Sequence, residues 1–311
     1  MRSVILSIAA LASVLSAGPA LAEVVQVFGL NPARNDRLAA LRSIVVDGFG
    51  GSEGAAVTIR LEDMLRAISL DGGPYFRVLP AATASGGGDA LLRGTADADV
   101  QFQRYTEKRE TCAEKDGEGK CLRKEQREIK CSRRRITLQV SLRVVQPDGT
   151  LIHSDDAPEQ AEHASCEGDE NPPRSRGDVV RDLIARYVDR LRPEFAPRFT
   201  DAAIRVDENR KGLAKGDADR FKQAVKLTKT DPRAACAAWA QVGAANPGHV
   251  PTQFNLALCA ESLGESGAQA AEAGYRKVLD LAPKYGAAAA GLGRLDRNAQ
   301  ARGQLAAHAG A

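Results

Sequence analysis

The chain has 311 residues, of which 43% are hydrophobic and 27% are charged, and 43 Lys and Arg against 40 Asp and Glu give a formal net charge of +3. A balance so close to neutral predicts no general attraction to nucleic acid. The length is sufficient for two domains of ordinary size.

The first 22 residues have the pattern of a secretory signal peptide. Arg2 precedes an apolar run from Val4 to Leu15, and small residues end the segment at Ala22. A membrane-spanning helix needs about 20 apolar residues, and this run is shorter. We therefore expect cleavage after Ala22 and a periplasmic or secreted protein without a membrane span. An uncleaved N-terminal membrane helix is the alternative.

The next segments predict a layer of strands and helices. A β-branched run at 44–46 ends in glycines and precedes an amphipathic helix, and residues 75–80 form a second short strand. The apolar residues of the helix fall at helical spacing: Val57, Leu61, Met64, Leu65 and Ile68. The glycine-rich turn before this helix lacks the spacing of a phosphate-binding loop, so no nucleotide cofactor is expected.

Two longer segments, at 90–102 and 135–145, alternate between apolar and polar residues and predict two core strands. A hairpin turn and a further strand follow at 146–157. The next helix would close the domain by covering the sheet. Its apolar face contains Val180, Leu183, Ile184, Tyr187 and Leu191.

A highly charged insertion separates the two core strands. Residues 104–135 contain twelve basic and seven acidic residues, so this segment cannot stabilise itself by burying apolar surface. We interpret it as an extended two-stranded ribbon that turns at the sequence KDGEGK. Residues 155–170 contain seven acidic residues and no Lys or Arg, which favours their lying against the ribbon.

The six cysteines are predicted to form disulfides, because their number is even and the protein is expected outside the cytosol. Cys112 and Cys121 are separated by a short, glycine-containing hairpin loop, so we favour pairing them with each other. This leaves Cys131 for Cys166.

Other uses of the cysteines fit the spacing less well. A zinc site that adds His153 or His163 is disfavoured because structural zinc sites use shorter Cys-to-Cys intervals. The chain has no Cys-x-x-Cys motif for redox catalysis. Cys236 and Cys259 fall on successive predicted helices, where a bridge is plausible and two free buried thiols are the alternative.

From about residue 201 the chain becomes rich in alanine and is predicted to be helical and free of strands. Trp239, Val242 and Pro247 recur 36 residues later as Tyr275, Val278 and Pro283. This pattern resembles the tetratricopeptide repeat over residues 217–300, with a generic helical bundle as the alternative. The resemblance implies a concave surface for a protein or peptide, with Phe254, Leu258 and Glu261 as candidate lining residues. Packing between neighbouring repeats is the competing role for these three.

The order of elements in the first domain resembles the periplasmic domain of the curli secretion channel family, over residues 43–193. Related domains are the N-terminal domain of the Tol-Pal translocation protein and lipoprotein activators of penicillin-binding proteins. The resemblance implies a domain that binds proteins and carries out no chemistry. The charged ribbon departs from the channel proteins, because a membrane barrel requires alternating apolar residues that face lipid.

The sequence thus predicts an α+β domain at 23–198, with a mixed sheet and a ribbon at 104–135. An all-α tetratricopeptide-like domain at 199–302 and a disordered tail at 303–311 follow. The expected function is that of an exported, non-enzymatic interaction or scaffold protein of the bacterial cell envelope, without cofactor or metal. The alternatives are an oligomeric secretion or envelope-assembly component, and a cell-wall-associated enzyme or activator of one.

Overall fold

The computed structural model describes residues 23–70, 72–80, 87–169 and 174–310. The predicted signal peptide at 1–22 lies outside the described residues. The strands are β1 (Val24–Asn31), β2 (Ser43–Val46), β3 (Ser69–Leu70), β4 (Gly73–Pro74), β5 (Arg77–Pro80), β6 (Ala90–Lys115), β7 (Cys121–Val145), β8 (Leu151–Asp155), β9 (Glu159–Cys166) and β10 (Arg198–Arg205). The helices are α1 (Asp36–Ala39), α2 (Gly54–Ala67), α3 (Arg176–Phe195), α4 (Lys215–Leu227), α5 (Pro232–Ala245), α6 (Val250–Glu261), α7 (Ala268–Leu281) and α8 (Gly286–Gly310).

The chain divides into two compact units, each made of segments that are not contiguous in sequence. Among the described residues, the sheet unit comprises those from Leu30 to Thr200 and from Asp296 to Gly310, and the helical unit comprises those from Glu23 to Gly29 and from Asp201 to Leu295. The fold is therefore mixed, with a β-rich first part and a helical second part, as the sequence predicts at this level.

The main sheet of the sheet unit is mixed. Its strand order is β5, β2, β6, β7 and β8, and β9 also pairs with β7. β2 is parallel to both of its neighbours, whereas β7 is antiparallel to β6, β8 and β9. All four residues of β2 are buried, as expected for a short central strand.

The core of the sheet unit lies between one face of this sheet and helices α2 and α3. The predicted alternation is confirmed, since Leu92 of β6 and Leu138 of β7 are completely buried whereas Arg93 is exposed. Helix α3 begins after Ser175, whose hydroxyl accepts a hydrogen bond from the backbone of Asp178. The predicted apolar faces of both helices are buried: Val57, Leu61, Leu65, Val180, Leu183, Ile184, Tyr187 and Leu191.

The helical unit packs its consecutive helices around a second core with large aromatic side chains. Phe221, Trp239, Phe254 and Tyr275 are fully or almost fully buried there. Small residues allow α6 and α7 to approach closely, because a Cβ added to Gly274 would lie only 2.8 Å from the Cβ of Ala257. The helical character of this part is confirmed, whereas its assignment to tetratricopeptide repeats stays a prediction.

Two expectations at the ends of the helical region are wrong. The region is not strand-free from residue 201, because β10 pairs with β1 in a two-stranded sheet. In β10, Ala202 and Ile204 contact the core of the helical unit. This spacing of two residues is typical of a strand, but the high alanine content of the region makes it hard to recognise in the sequence.

The disordered tail expected at 303–311 is instead helical as far as Gly310. The side-chain amide of Gln304 both accepts from and donates to the backbone of Ala33, at 2.8 and 3.0 Å. The ring of His308 stacks on that of Tyr75, with centroids 4.0 Å apart. These contacts come from residues far away in sequence, so the composition of the tail does not reveal them.

Candidate functional site

The predicted ribbon is a continuation of the two longest strands beyond the rest of the sheet. β6 and β7 pair from Leu91 and Val145 outward, whereas β9 accompanies β7 only as far as the pair Cys131 and Cys166. Residues 106–130, here called the outer ribbon, are therefore a two-stranded hairpin. Its strands of about ten residues extend for roughly 30 Å at 3.3–3.4 Å per residue.

The turn at the far end of the outer ribbon is held by one aspartate. The Asp116 carboxylate accepts hydrogen bonds from the backbone amides of Glu118 and Lys120, at 3.0 and 2.7 Å. Gly119 has a φ of 84°, a left-handed conformation that favours glycine. The turn predicted at KDGEGK is thereby confirmed.

Three disulfides are present, with the pairing that the sequence favours. Cys112–Cys121 links the two strands of the outer ribbon next to its turn, and Cys131–Cys166 links β7 to β9 where the outer ribbon begins. Cys236–Cys259 joins α5 to α6 in the helical unit. The outer ribbon, which has little apolar surface of its own, thus has one cross-link between its strands beside the turn, and a second disulfide ties β7 to β9 just outside its base.

Arg109 adds an electrostatic link beside the Cys131–Cys166 disulfide, here called the inner disulfide. Its guanidinium donates hydrogen bonds to Glu107 at 2.9 Å and to Asp169 at 2.7 Å. Hydrogen bonds from the Cys166 backbone amide and from Arg109 lower the pKa of Asp169. Glu107 and then Asp169 raise the pKa of Arg109. The end of β9 is therefore held against the ribbon by charge as well as by sulfur.

The acidic return segment lies against the basic ribbon, as its charge predicts. Strand β9 runs antiparallel to β7, and the Glu162 carboxylate contacts Arg133 at 3.0 Å and Arg135 at 2.8 Å. These side chains are 40–50% exposed, so water screens the pairs and the stabilisation is modest.

A groove of about 750 Å³ lies where β6, β7 and β9 run side by side. Its lining includes the charged residues Arg104, Lys130 and Glu167 and the two cysteines of the Cys131–Cys166 disulfide. Phe102, two residues before Arg104 on the same face of β6, is 71% exposed. The remaining lining residues are Tyr105, Thr106, Ser132 and Ser165. The groove therefore offers cations, hydroxyl groups and a nearby exposed aromatic ring.

The three residues predicted to line a binding surface in the helical unit have largely buried side chains, although Phe254 borders a concave site beside Val206 and Tyr285. Phe254 and Leu258 are 1% and 0% exposed, and Glu261 is 6% exposed. The Glu261 carboxylate accepts hydrogen bonds from Arg294 at 2.7 and 2.6 Å and from the Tyr275 hydroxyl at 2.5 Å. This burial favours the competing role, packing between helices, and partner contact by these residues stays a prediction. A stripe at helical spacing has the same pattern whether it faces a core or a ligand.

The residues that shape the groove have no distinctive sequence signal. Arg104 and Lys130 are two members of a long charged run, and only the strand register places them on the same face. Asp169, the partner of Arg109, lies in a turn 60 residues further along the chain. The cysteines were the one usable signal, since their pairing fixes how β9 meets β7.

Cys131 and Cys166 lie within ligand distance of Glu107, a grouping that could in principle hold a metal ion. The two sulfurs are bonded to each other, so neither can supply the thiolate that a metal ion requires. Two of the histidines have structural contacts instead: His249 Nδ1 lies 2.7 Å from the Thr252 hydroxyl, and His308 stacks on Tyr75.

Within the part of the chain that the structure describes, no helix has both the length and the apolar content that crossing a bilayer requires. Three disulfides are typical of proteins that fold outside the cytosol, and they indicate an extracytoplasmic location.

No protein-family model matches the chain, and no curated protein matches it in sequence. Among solved structures, it is similar to the PelC dodecamer from Paraburkholderia phytofirmans, at 16% identity over 56% of this chain and 98% of that chain, with a TM-score of 0.27. A variant of that dodecamer gives 17% identity, the same coverage and a TM-score of 0.28. A neuraminyllactose-binding hemagglutinin homolog from Helicobacter pylori gives 11% identity over 50% and 86% of the two chains, with a TM-score of 0.31.

Proposed function

We propose that this chain is an extracytoplasmic, non-enzymatic interaction protein of the bacterial cell envelope, which docks on a protein partner through its disulfide-braced ribbon and the groove at its base. The observation that carries the proposal is the combination of covalent bracing with exposed, charged surface on the same element. A binding arm that is already rigid loses little conformational freedom on association, which favours affinity.

The groove has the composition expected of a docking surface. Arg104 and Lys130 provide charge that is only partly balanced by Glu167, and Phe102 offers an exposed aromatic ring beside them. Arginine and aromatic residues are enriched among the side chains that dominate binding energy at protein interfaces. An acidic surface with an apolar pocket for Phe102 is the complementary partner.

The helical unit is proposed to have a structural role, in which Phe254, Leu258 and Glu261 make no contact with the partner. The tetratricopeptide-like interpretation rests on the 36-residue recurrence and on the small residues where α6 and α7 meet. The buried Glu261–Arg294 ion pair joins α6 to α8. We therefore propose the docking surface on the ribbon, because the side chains of Phe254, Leu258 and Glu261 are buried.

A second candidate, an oligomeric secretion or envelope-assembly component, is favoured by the free edge of β6. On the side away from β7, β6 pairs with β2 at 90–92 and bridges to Gly50 at Thr95, and from Asp99 outward the described residues place no strand there. Such an edge can receive a strand from another chain. Light scattering of the purified protein distinguishes the candidates, because assembly through this edge requires an oligomer.

The docking proposal is tested by photo-crosslinking in the periplasm of a bacterial host that expresses the full chain. A photoreactive phenylalanine analogue replaces Phe102, and in a matched control it replaces Ile59, which is 63% exposed on α2. We expect an adduct with a defined protein from position 102 and none of the same mass from position 59.

The charge-reversed variant Arg104→Glu/Lys130→Glu provides the second measurement. It should lose the adduct at position 102 while the protein accumulates to the same level. Equal adducts from both positions, or an adduct unaffected by the reversal, would overturn the proposal. An adduct with the mass of two copies of this chain would support the oligomer instead.

A further inference from the structure

A second concave site lies on the helix-covered face of the sheet, between α3 and strands β7 and β9. This cleft has a volume of about 200 Å³. Arg134, Arg174, Arg186 and His163 contribute nitrogen-bearing side chains to its lining, and Asp182 contributes a carboxylate. Glu162 also borders the cleft, but the strand register places its carboxylate on the other face of the sheet, with Arg133 and Arg135. Three guanidinium groups in so small a space require an explanation, because like charges repel each other.

Both acids are already paired, Glu162 with two arginines outside the cleft and Asp182 with Arg174 of its lining. Glu162 contacts Arg133 and Arg135, and Asp182 contacts Arg174 at 2.6 Å. Within the described residues, neither acid forms an ion pair with Arg134 or Arg186, so the lining of the cleft retains an excess of positive charge.

The two remaining arginines are oriented by carbonyl groups of the backbone. Arg134 donates to the carbonyl oxygen of Arg174, and Arg186 donates to that of Gln160 at 2.9 Å. These bonds fix each guanidinium without neutralising it. Arg186 is also 3.9 Å from Glu159, which lies closer to Arg190, at 3.2 Å.

Two nitrogen atoms at this site are buried and lack any hydrogen-bond partner in the described part of the protein. They are Nε of Arg134 and Nε2 of His163. Buried polar atoms in native proteins are almost always hydrogen-bonded, and an unsatisfied one often marks a ligand or an ion that completes the site. Two such atoms beside three guanidinium groups indicate an acceptor that carries negative charge.

We infer that the cleft is a binding site for an oxyanion, a phosphate or carboxylate group, held by Arg134 and Arg186 with His163 beside it. The planar guanidinium group matches both anions in a two-pronged geometry. The volume fits a small anion or the charged end group of a larger molecule. This site is separate from the groove of the proposed docking function.

The test is a titration of the full-length protein with inorganic phosphate and, separately, with succinate. The readout is the side-chain Nε–H resonance of Arg134 in nitrogen-15 NMR spectra. We expect a saturable shift with at least one anion, and comparison of the two titrations identifies phosphate or carboxylate as the preferred group. Failure of both anions to give a saturable shift would overturn the inference.

Variants locate the site by calorimetric titration with the preferred anion. Arg186→Gln should weaken binding about tenfold, as expected for the loss of one charge-assisted contact. The control Arg93→Gln/Arg143→Gln removes two exposed arginines that face each other on the opposite side of the sheet and should bind like the wild type. Should Arg186→Gln fail to fold, His163→Leu removes both ring nitrogens from the cleft without breaking an ion pair and should also weaken binding. Equal weakening in the control, or unchanged affinity in the cleft variants, contradicts the assignment.

Discussion

Arg109 and Asp169 are joined by a hydrogen bond of 2.7 Å although 60 residues separate them in the chain. The bond connects the outer ribbon to the turn that follows β9, beside the Cys131–Cys166 disulfide. Asp169 also accepts from the backbone amide of Cys166 at 2.6 Å. Two links therefore hold the base of the ribbon: the Arg109–Asp169 contact, which requires an ionised carboxylate, and the Cys131–Cys166 disulfide, which requires oxidised cysteines.

Acid should loosen the Arg109–Asp169 contact. The folded-state pKa of Asp169 is lowered by the Cys166 amide and Arg109, so its stabilising effect is fully present above the unfolded pKa of about 3.9 and is lost as pH falls through the lower folded value. Hydrogen exchange of the Cys166 amide, corrected for its intrinsic rate, should show protection that declines only in that acid range. Asp169→Asn should be less protected already at neutral pH. The control Asp99→Asn, at an exposed position of β6, should match the wild type, and identical profiles for all three proteins would contradict this role.

Removal of a disulfide should lower the free energy of unfolding by more when the disulfide closes a longer loop. Cys112–Cys121 spans 9 residues and Cys131–Cys166 spans 35. The loop-entropy relation gives about 3 kcal/mol for the shorter and about 4 kcal/mol for the longer. Urea unfolding of the two double Cys→Ser variants, followed by circular dichroism, measures these losses. A larger loss of unfolding free energy without Cys112–Cys121 than without Cys131–Cys166 would contradict the expected order.

The buried ion pair of the helical unit should be sensitive to the loss of one partner. Glu261→Gln leaves the Arg294 guanidinium, whose side chain is 20% exposed, without its counter-ion, so we expect a loss of about 3–5 kcal/mol. Replacing both residues by methionine should cost less, because no uncompensated charge remains. The fluorescence of buried Trp239 reports unfolding of this unit.

Glu272→Gln is the matched control for Glu261→Gln. Its carboxylate pairs with Arg276 on the surface of α7, where a pair contributes about 0.5 kcal/mol or less. A similar loss in both variants would show that Glu261 has no special structural role.

The close contact between α6 and α7 should not tolerate one additional methyl group. Gly274→Ala places a Cβ 2.8 Å from that of Ala257, and overpacking of this kind costs about 1–3 kcal/mol. Gly216→Ala in α4 has nothing within 4 Å of the new Cβ and should be neutral or slightly stabilising. Thermal melting of both variants checks the difference, and equal melting temperatures would argue against a tight contact.

Local patterns predicted much of the sheet unit correctly. The alternation in β6 and β7 and the helical spacing in α2 and α3 identified buried residues, because a single sheet face and single helix faces meet in one core. The cysteine spacing indicated the pairing within the ribbon. In each case the relevant information lies within a few residues of the chain.

Features that depend on distant neighbours were missed or misassigned. Strand β1 exists through its pairing with β10, about 170 residues later, and the end of α8 is held through Gln304 and His308. Glu261 has the polarity of a surface residue, and only Arg294 and Tyr275 make its burial favourable. The groove depends on strand register, which the charged run leaves undetermined because its two faces have similar composition.

The Cys112–Cys121 bridge has a consequence for the survival of the ribbon among proteases. Together with the backbone of residues 112–121, it forms a closed covalent ring around the turn, and that ring contains Lys115 and Lys120. A trypsin-like enzyme that nicks the chain at either lysine opens the ring and leaves both strands attached to each other. A single cut at the turn of the outer ribbon thus releases no fragment of the chain.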